Sequence, residues 1–375
     1  QIGNKSLVEY MNMKRYDYLL VGAGLFNAIL AYELSRIGKK CLVIDKRSHL
    51  GGNMYCDHIA GIDIHSYGPH IFHTNNKYIW DYVNNLCEFK PFVYSPLACY
   101  KGKLYNLPFN MHTFYELWGV KTSVEAQKRI KEQLIPLKND NLEEYALSTF
   151  GSEIYETLIK GYTEKQWGQE ATMLPAFILK RLPLRFTFNN NYFEDFYQGI
   201  PIGGYNSLFV NAFRTCELML DTDFIQNRDL SKLAETVIFT GMIDEYYDYC
   251  CGVLEYRSLC FETETIYMED FQSSVVVNYT EREVPYTRII EHKHFEGKCT
   301  PNTIITKEYP QEWHKGREPY YPVNTKRNES IYKEYKMRSI LDQNVFFAGR
   351  LGTYRYMNMD QIIKEALELF KQLKK

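Results

Sequence analysis

The stretch from Tyr16 to Asp45 restricts the fold more than any other part of the chain. YDYLLVG (16–22) is a strand-length apolar run ending in Gly22-Ala23-Gly24, after which Leu25, Ile29, Leu30 and Leu34 recur at helical spacing as far as Arg36. KCLVI (40–44) follows as a second strand and ends on Asp45, about 20 residues beyond the glycines. Strand, glycine turn, helix and strand predict an α/β fold built on a Rossmann-like unit. Gly22 permits the sharp turn, Gly24 lets backbone approach a pyrophosphate, and the helix N-terminus offers free N–H donors at its positive end. Asp45 is then placed to accept hydrogen bonds from a ribose.

Two details refine the cofactor. The third position of the glycine motif is Asn27, followed by Ala28, which is expected to loosen the helix–strand contact or shift it by one residue. The following DKRSHLGGN puts Gly51-Gly52 just after the acidic strand end. An acidic residue followed by Gly-Gly is the pattern of flavin-binding folds of the glutathione-reductase type, so the cofactor expected is FAD. Gly22, Gly24, Leu25, Asp45, Lys46, Gly52 and Asn53 are its candidate contacts.

A chain of 375 residues is long enough for two or three packed units. Residues 77–86 and 111–160 carry helical periodicity, 93–107 reads as a hairpin around Lys101-Gly102-Lys103, and 255–295 as several antiparallel strands. NVFFAG (344–349) is a strand running into a glycine, and Met359, Ile362, Ile363, Ala366, Leu367 and Phe370 mark a last amphipathic helix that can return to the first sheet. The expected division is a discontinuous FAD-binding domain (13–87, 205–253, 324–375), a mainly helical domain (88–158), and an antiparallel sheet domain for substrate (159–204, 254–323). Residues 1–12 read as an extension, native or vector-derived.

A net charge of -2 with scattered basic residues lacks the footprint of nucleic-acid binding. Any anionic partner must be held by a few placed cations. No apolar run reaches the length of a membrane span. Nine cysteines without zinc spacing argue against a disulfide framework and for the reducing cytosol, and Cys250-Cys251 read as buried small hydrophobes rather than a redox pair. His70 and His73 are spaced like a metal pair, but no third ligand or HExxH accompanies them, so no metal is expected.

Four segments in order, GPHIFHT (68–74), KGYTEKQWG (160–168), VPYTRIIEHKHF (284–295) and AGRLGTYRYMNMDQ (348–361), resemble bacterial UDP-galactopyranose mutases along essentially the whole chain from Met13. The resemblance implies an isomerase that interconverts UDP-galactopyranose and UDP-galactofuranose. In that family N5 of reduced FAD takes the anomeric carbon as a covalent adduct while UDP is retained. It further implies a homodimer or higher oligomer, a mobile arginine-bearing loop, an external reductant such as NAD(P)H, and a role in polysaccharide biosynthesis.

Residue by residue, the resemblance makes Arg181 and Arg288 the pyrophosphate cations, whose guanidinium forks suit that anion. Tyr162 and Trp167 correspond to the uracil and sugar-pocket aromatics, and Tyr192, Tyr321 and Tyr356 to hydroxyls reaching the diphosphate. Arg257 and Asn278 are carried over as substrate contacts. His70 with Ile71 lies against the flavin and is a catalytic candidate beside the two arginines. Arg350, Met359, Asp360 and Gln361 receive the flavin ring and pyrophosphate, while Arg185 reads as a surface ion pair. Two departures stand out: Asn358 replaces an aspartate found in several members, and Tyr94 replaces a small polar residue of the sugar pocket, which raises UDP-N-acetylgalactosamine as a substrate. Competing readings are an FAD-dependent amine or polyol oxidoreductase, which shares the opening module, and a non-catalytic nucleotide-sugar binding protein.

Overall fold

A computed structural model describes residues 15–180 and 182–374. Its first layer is a parallel sheet with strands in the spatial order Glu217–Met219, Cys41–Ile44, Tyr16–Val21, Ala234–Phe239 and Val345–Phe347. The central strand is fully apolar where it is flanked on both sides, as a doubly covered parallel sheet requires. On one face the helices Leu25–Arg36 and Met359–Leu373 pack together through Ile29, Leu30, Ile363 and Ala366. The late strand-glycine-helix unit thus returns to the first sheet, as its pattern predicts.

A second sheet of seven strands runs Tyr321–Pro322, Tyr256–Ile266, Thr303–Glu312, Arg288–Glu291, Val276–Tyr279, Leu97–Tyr100 and Lys103–Asn106. The last two form the expected hairpin, with Lys101 and Gly102 both at positive φ in the two-residue turn. Helices Met111–Trp118, Ser123–Lys131, Leu142–Thr149 and Lys160–Trp167 build a separate apolar core against it. The sheet is antiparallel except where Val276–Tyr279 pairs in parallel with Leu97–Tyr100. Smaller sheets join Cys56–Ile59 to Ile62–His65, and Phe72–Thr74 and Phe89–Pro91 to Tyr197–Pro201. The long strand Thr303–Glu312 and the helix Lys326–Ser339 are not signalled by the periodicity read above.

Two expectations need correcting. Asn27 does not loosen the opening unit: its side chain is fully buried and its Nδ2 donates to the carbonyls of Val21 (3.0 Å) and Gly22 (2.8 Å), so it ties the helix to the strand end and the turn. A third glycine would permit close packing; the carboxamide replaces it with two hydrogen bonds. Cys250 and Cys251 are not buried either, being exposed and half-buried with their sulfurs 3.8 Å apart.

Asn27→Leu takes the amide donor from the Gly22 carbonyl, while the Val21 carbonyl keeps the N–H and hydroxyl of Thr240, and is expected to cost about 1–3 kcal/mol. A thermal melt should show the loss together with weaker cofactor retention, and an unchanged melt would remove the tie from the account.

Candidate active site

A cavity opens at the carboxyl ends of the parallel strands, where open α/β sheets bind ligands. Gly22, Gly24, Leu25, Asp45, Lys46, Gly52, Asn53, His70, Arg350 and Met359 line it, bringing together most of the cofactor candidates. No side chain caps the helix Leu25–Arg36, so its first-turn N–H groups remain available to an anion. A Cβ at Gly24 would meet open space, whereas one at Gly52 would lie 3.3 Å from Gly24 Cα. The two glycine turns therefore touch, and the constraint falls on Gly52, whose φ of 54° also favours glycine.

The Asp45 carboxylate accepts the Ala23 N–H at 2.7 Å and the Arg47 N–H at 2.9 Å. Both oxygens keep lone pairs for a ribose. Across the cavity Glu318 pairs with Lys46 (3.0 Å) and Arg47 (2.9 Å). Uncapped donors, an acidic strand end and a cleft between them fit a dinucleotide such as FAD.

Three cofactor candidates lie off this cavity. Ile71 packs in an apolar cluster with Tyr94 and Ile290. Asp360 accepts from Thr74 Oγ1 at 3.1 Å. Gln361 is exposed, and its Oε1 accepts the Asn358 N–H at 2.9 Å. Asn358, the first departure, thus begins the last helix as its N-cap.

The substrate candidates gather on the adjoining sheet. Asn278, Arg288 and Glu308 stand directly opposite one another on three neighbouring strands. Glu308, fully buried, receives Arg288 bidentately: Nε to Oε2 at 2.8 Å and Nη2 to Oε1 at 2.9 Å. Burial opposes the guanidinium charge, but Glu308 and the phenols of Tyr162 and Tyr321 outweigh it and raise the Arg288 pKa well above normal. Two of its five N–H donors are spent on Glu308; the Nη1 edge can serve another anion.

Aromatic contacts connect this pair to the cavity. The rings of Tyr321 and Tyr356 are 6.2 Å apart, and Arg350 lies over Tyr356 at 4.8 Å. His70 sits within electrostatic reach of both Arg350 and Arg288. Its Nδ1 is 2.8 Å from the Gly68 carbonyl, an acceptor only, so the proton resides on Nδ1 and Nε2 carries a lone pair. Burial and then the Arg350 charge lower its pKa to about 4.

The remaining candidates take other places. Arg257 is buried, and its guanidinium donates to the carbonyls of Gln166 (3.0 Å) and Lys165 (3.4 Å). It thereby closes the C-terminus of the helix that carries Tyr162 and Trp167. Asn278 Nδ2 donates to the Leu97 carbonyl at 3.2 Å. The Tyr192 ring meets Tyr94 edge-on at 5.5 Å.

Arg185 makes the expected ion pair, with exposed Glu194 at 3.2 Å, but its own side chain is only 10% exposed and also holds the Asn191 and Tyr192 carbonyls. His73 leaves the cavity, stacks on Phe193 at 3.7 Å and pairs with Asp195 at 2.5 Å. Arg181 lies outside the described residues. Glu308 was missed because its strand was missed; an acidic residue on the inward phase of TIITKEYP was the available signal.

A Rossmann-like cavity linked through Arg350, Tyr356 and Tyr321 to a largely buried arginine on a second sheet fits a dinucleotide-cofactor enzyme acting on an anionic substrate. The chain matches the family described as UDP-galactopyranose mutase over residues 157–356, and the NAD(P)-binding Rossmann-like domain over 20–86. It is 40% identical to the dTDP-fucopyranose mutase of Escherichia coli, with 93% of this chain and 96% of that protein covered. It is 38% identical to the probable UDP-galactopyranose mutase of Klebsiella pneumoniae, covering 95% and 94%. A crystal structure of reduced UDP-galactopyranose mutase shares the fold at a TM-score of 0.74 and 14% identity, over 96% of this chain and 95% of that one. The chain belongs to the UDP-galactopyranose mutase family of isomerases.

Removing the carboxylate by Glu308→Gln leaves Arg288 charged and half-paired in a largely buried site, with an expected loss of about 3 kcal/mol in a denaturant melt; a loss below about 1 kcal/mol would show the pair to be solvated. His70 should contribute no ionisation to the rate between about pH 5 and 8. Because its folded-state pKa lies below the unfolded value of 6.5, the stability it contributes is complete above pH 6.5 and is lost as pH falls toward about 4. A His70 resonance titrating near 6.5 would contradict this.

Proposed function

We propose that the protein interconverts the pyranose and furanose forms of a UDP-linked galactose, using reduced FAD. The observation that carries the reading is Arg288, locked on buried Glu308 and linked through Tyr321, Tyr356 and Arg350 to the cofactor cavity. When bound, reduced FAD supplies a nucleophilic N5 for the anomeric carbon.

The chain's residues have separable tasks. The free edge of Arg288 meets the diphosphate, whose charge grows as the glycosidic bond breaks, and the hydroxyls of Tyr321, Tyr356 and Tyr192 donate to it. Arg181 is the second cation in this reading. Each such contact is worth about 3–4 kcal/mol when it strengthens in the transition state. Tyr162 and Trp167 flank uracil, Arg257 fixes their helix, and Asn278 braces the strand beside Arg288. Neutral His70 offers its Nε2 lone pair toward cofactor and sugar. Ile71, Asp360 and Gln361 support the cofactor through the elements they hold.

The same reading assigns 13–87, 205–253 and 324–375 to the cofactor domain, 88–158 to the helical domain, and 159–204 with 254–323 to the substrate domain. It places the enzyme in the cytosol as a homo-oligomer, reduced by an external donor such as NAD(P)H. Support for the location comes from nine free cysteines and from the described helices, none of which is long and apolar enough to cross a membrane.

A second reading is favoured by the 40% identity to a dTDP-fucopyranose mutase: the sugar is then dTDP-fucose and the chemistry unchanged. Tyr94, buried against Tyr192 and Phe193, also leaves UDP-N-acetylgalactosamine to be tried. The test is anaerobic turnover of the three furanose nucleotides with and without dithionite. We expect UDP-galactofuranose to turn over only when the enzyme is reduced. Turnover confined to dTDP-fucofuranose would move the substrate to the second reading, and a flavoprotein inert on all three would overturn the mutase assignment.

A further inference from the structure

The turn of residues 66–69 that delivers His70 to the cavity hangs from two histidines that have no part in the mechanism above. His292 follows the strand bearing Arg288 and is 1% exposed; His65 ends the strand Ile62–His65 and is 4% exposed. The backbone N–H of His65 donates to His292 Nδ1 at 3.2 Å, and the backbone N–H of His70 donates to His65 Nδ1 at 3.1 Å. A backbone N–H can only donate, so both Nδ1 atoms carry lone pairs and each neutral ring holds its proton on Nε2. The His292 proton is directed to Thr306 Oγ1 at 2.7 Å, and Thr306 in turn meets Thr263 Oγ1 at 2.8 Å.

Other contacts show what the series supports. The His65 ring lies flat on Phe295, 4.1 Å away and 2° from parallel. The Tyr205 hydroxyl donates to the His70 carbonyl at 3.1 Å. A Cβ at Gly68 would lie 3.4 Å from Glu308 Oε2, so the turn rests on the partner of Arg288. Protonating His65 or His292 would set one N–H against another, and burial also opposes it, lowering His65 well below its usual value and His292 to about 3.

We propose that His65 and His292 are positioning residues: two uncharged acceptors in series that fix the 66–69 turn and aim the His70 Nε2 lone pair into the cofactor cavity. The proposal rests on the flavin mutase reading for the reaction it serves, and on the geometry alone for the tautomers. It accounts for the second histidine-bearing motif of the chain, EHKHF, which the catalytic assignment leaves unused.

The test compares His65→Phe, which keeps the stack on Phe295 and removes the acceptor, with His65→Asn, which returns an amide oxygen near the Nδ1 position. In the reduced holoenzyme the phenylalanine variant should lose about tenfold in kcat, the scale set by misaimed catalytic groups, with KM changed less than about twofold and a shifted flavin absorption band. The asparagine variant should recover most of both. Equal kcat in the two variants, whether high or low, overturns the proposal, because the acceptor would then not matter.

If the phenylalanine variant does not fold, the ¹⁵N spectrum of the wild-type imidazoles decides. At neutral pH, Nε2–H on His65 and His292 with Nδ1–H on His70 is expected, and any of the three in the other tautomer or cationic overturns it. Wild-type protein that lacks flavin, or is inert on every sugar nucleotide, marks failure of the underlying reading before any variant is made, and the tautomer spectrum still tests the series.

Discussion

The bidentate pair between Arg288 and fully buried Glu308 is the constraint on which the site depends. Desolvating two charges is costly, and the cost is recovered only by close geometry with every lone pair used. Thr287 adds a donor to Glu308, Gly68 rests on its other side, and Tyr162 and Tyr321 surround the guanidinium. The pair is neutral as a whole, so the apolar interior can hold it. It still presents one cationic edge of fixed direction, which a solvated arginine cannot do.

From that pair the two halves of the molecule meet in a definite way. The seven-stranded sheet sets the Asn278, Arg288 and Glu308 row by strand register. The parallel sheet sets the glycine turns and Asp45 by the chain reversal at each strand end. The turn before His70 is held twice against the seven-stranded sheet, through His65 on His292 and by contact with Glu308, so a shift of that sheet is felt at the cavity. The candidate site therefore draws on parts that lie far apart in sequence, including Asp45, His70, Arg288 and Arg350.

How much of this the sequence shows differs by element. Tyr16–Val21, Leu25–Arg36 and Cys41–Ile44 were legible because apolar periodicity and glycine placement are local signals. The hairpin at Lys101-Gly102 was legible from its turn residues. Thr303–Glu312 was not, because its buried positions include Thr303, Thr306 and Glu308, polar groups whose burial makes sense only once Arg288 and His292 stand opposite. Arg257 and Arg185 were visible as arginines, but their use as ties on backbone carbonyls is set by tertiary contacts, which no spacing rule reports. Asn27 shows the same limit in reverse: a departure from the glycine motif read as a weakness is a buried cross-link.

The most direct test of a single continuous site is a titration of UDP into the oxidised holoenzyme while the flavin absorbance and fluorescence are recorded. A diphosphate held on Arg288 lies next to the cavity that His70 and Arg350 line, so a saturable change in the flavin spectrum is predicted, and it should be abolished by Arg288→Ala. UDP that binds without disturbing the flavin, or disturbs it equally in that variant, would contradict the placement of substrate and cofactor in one site.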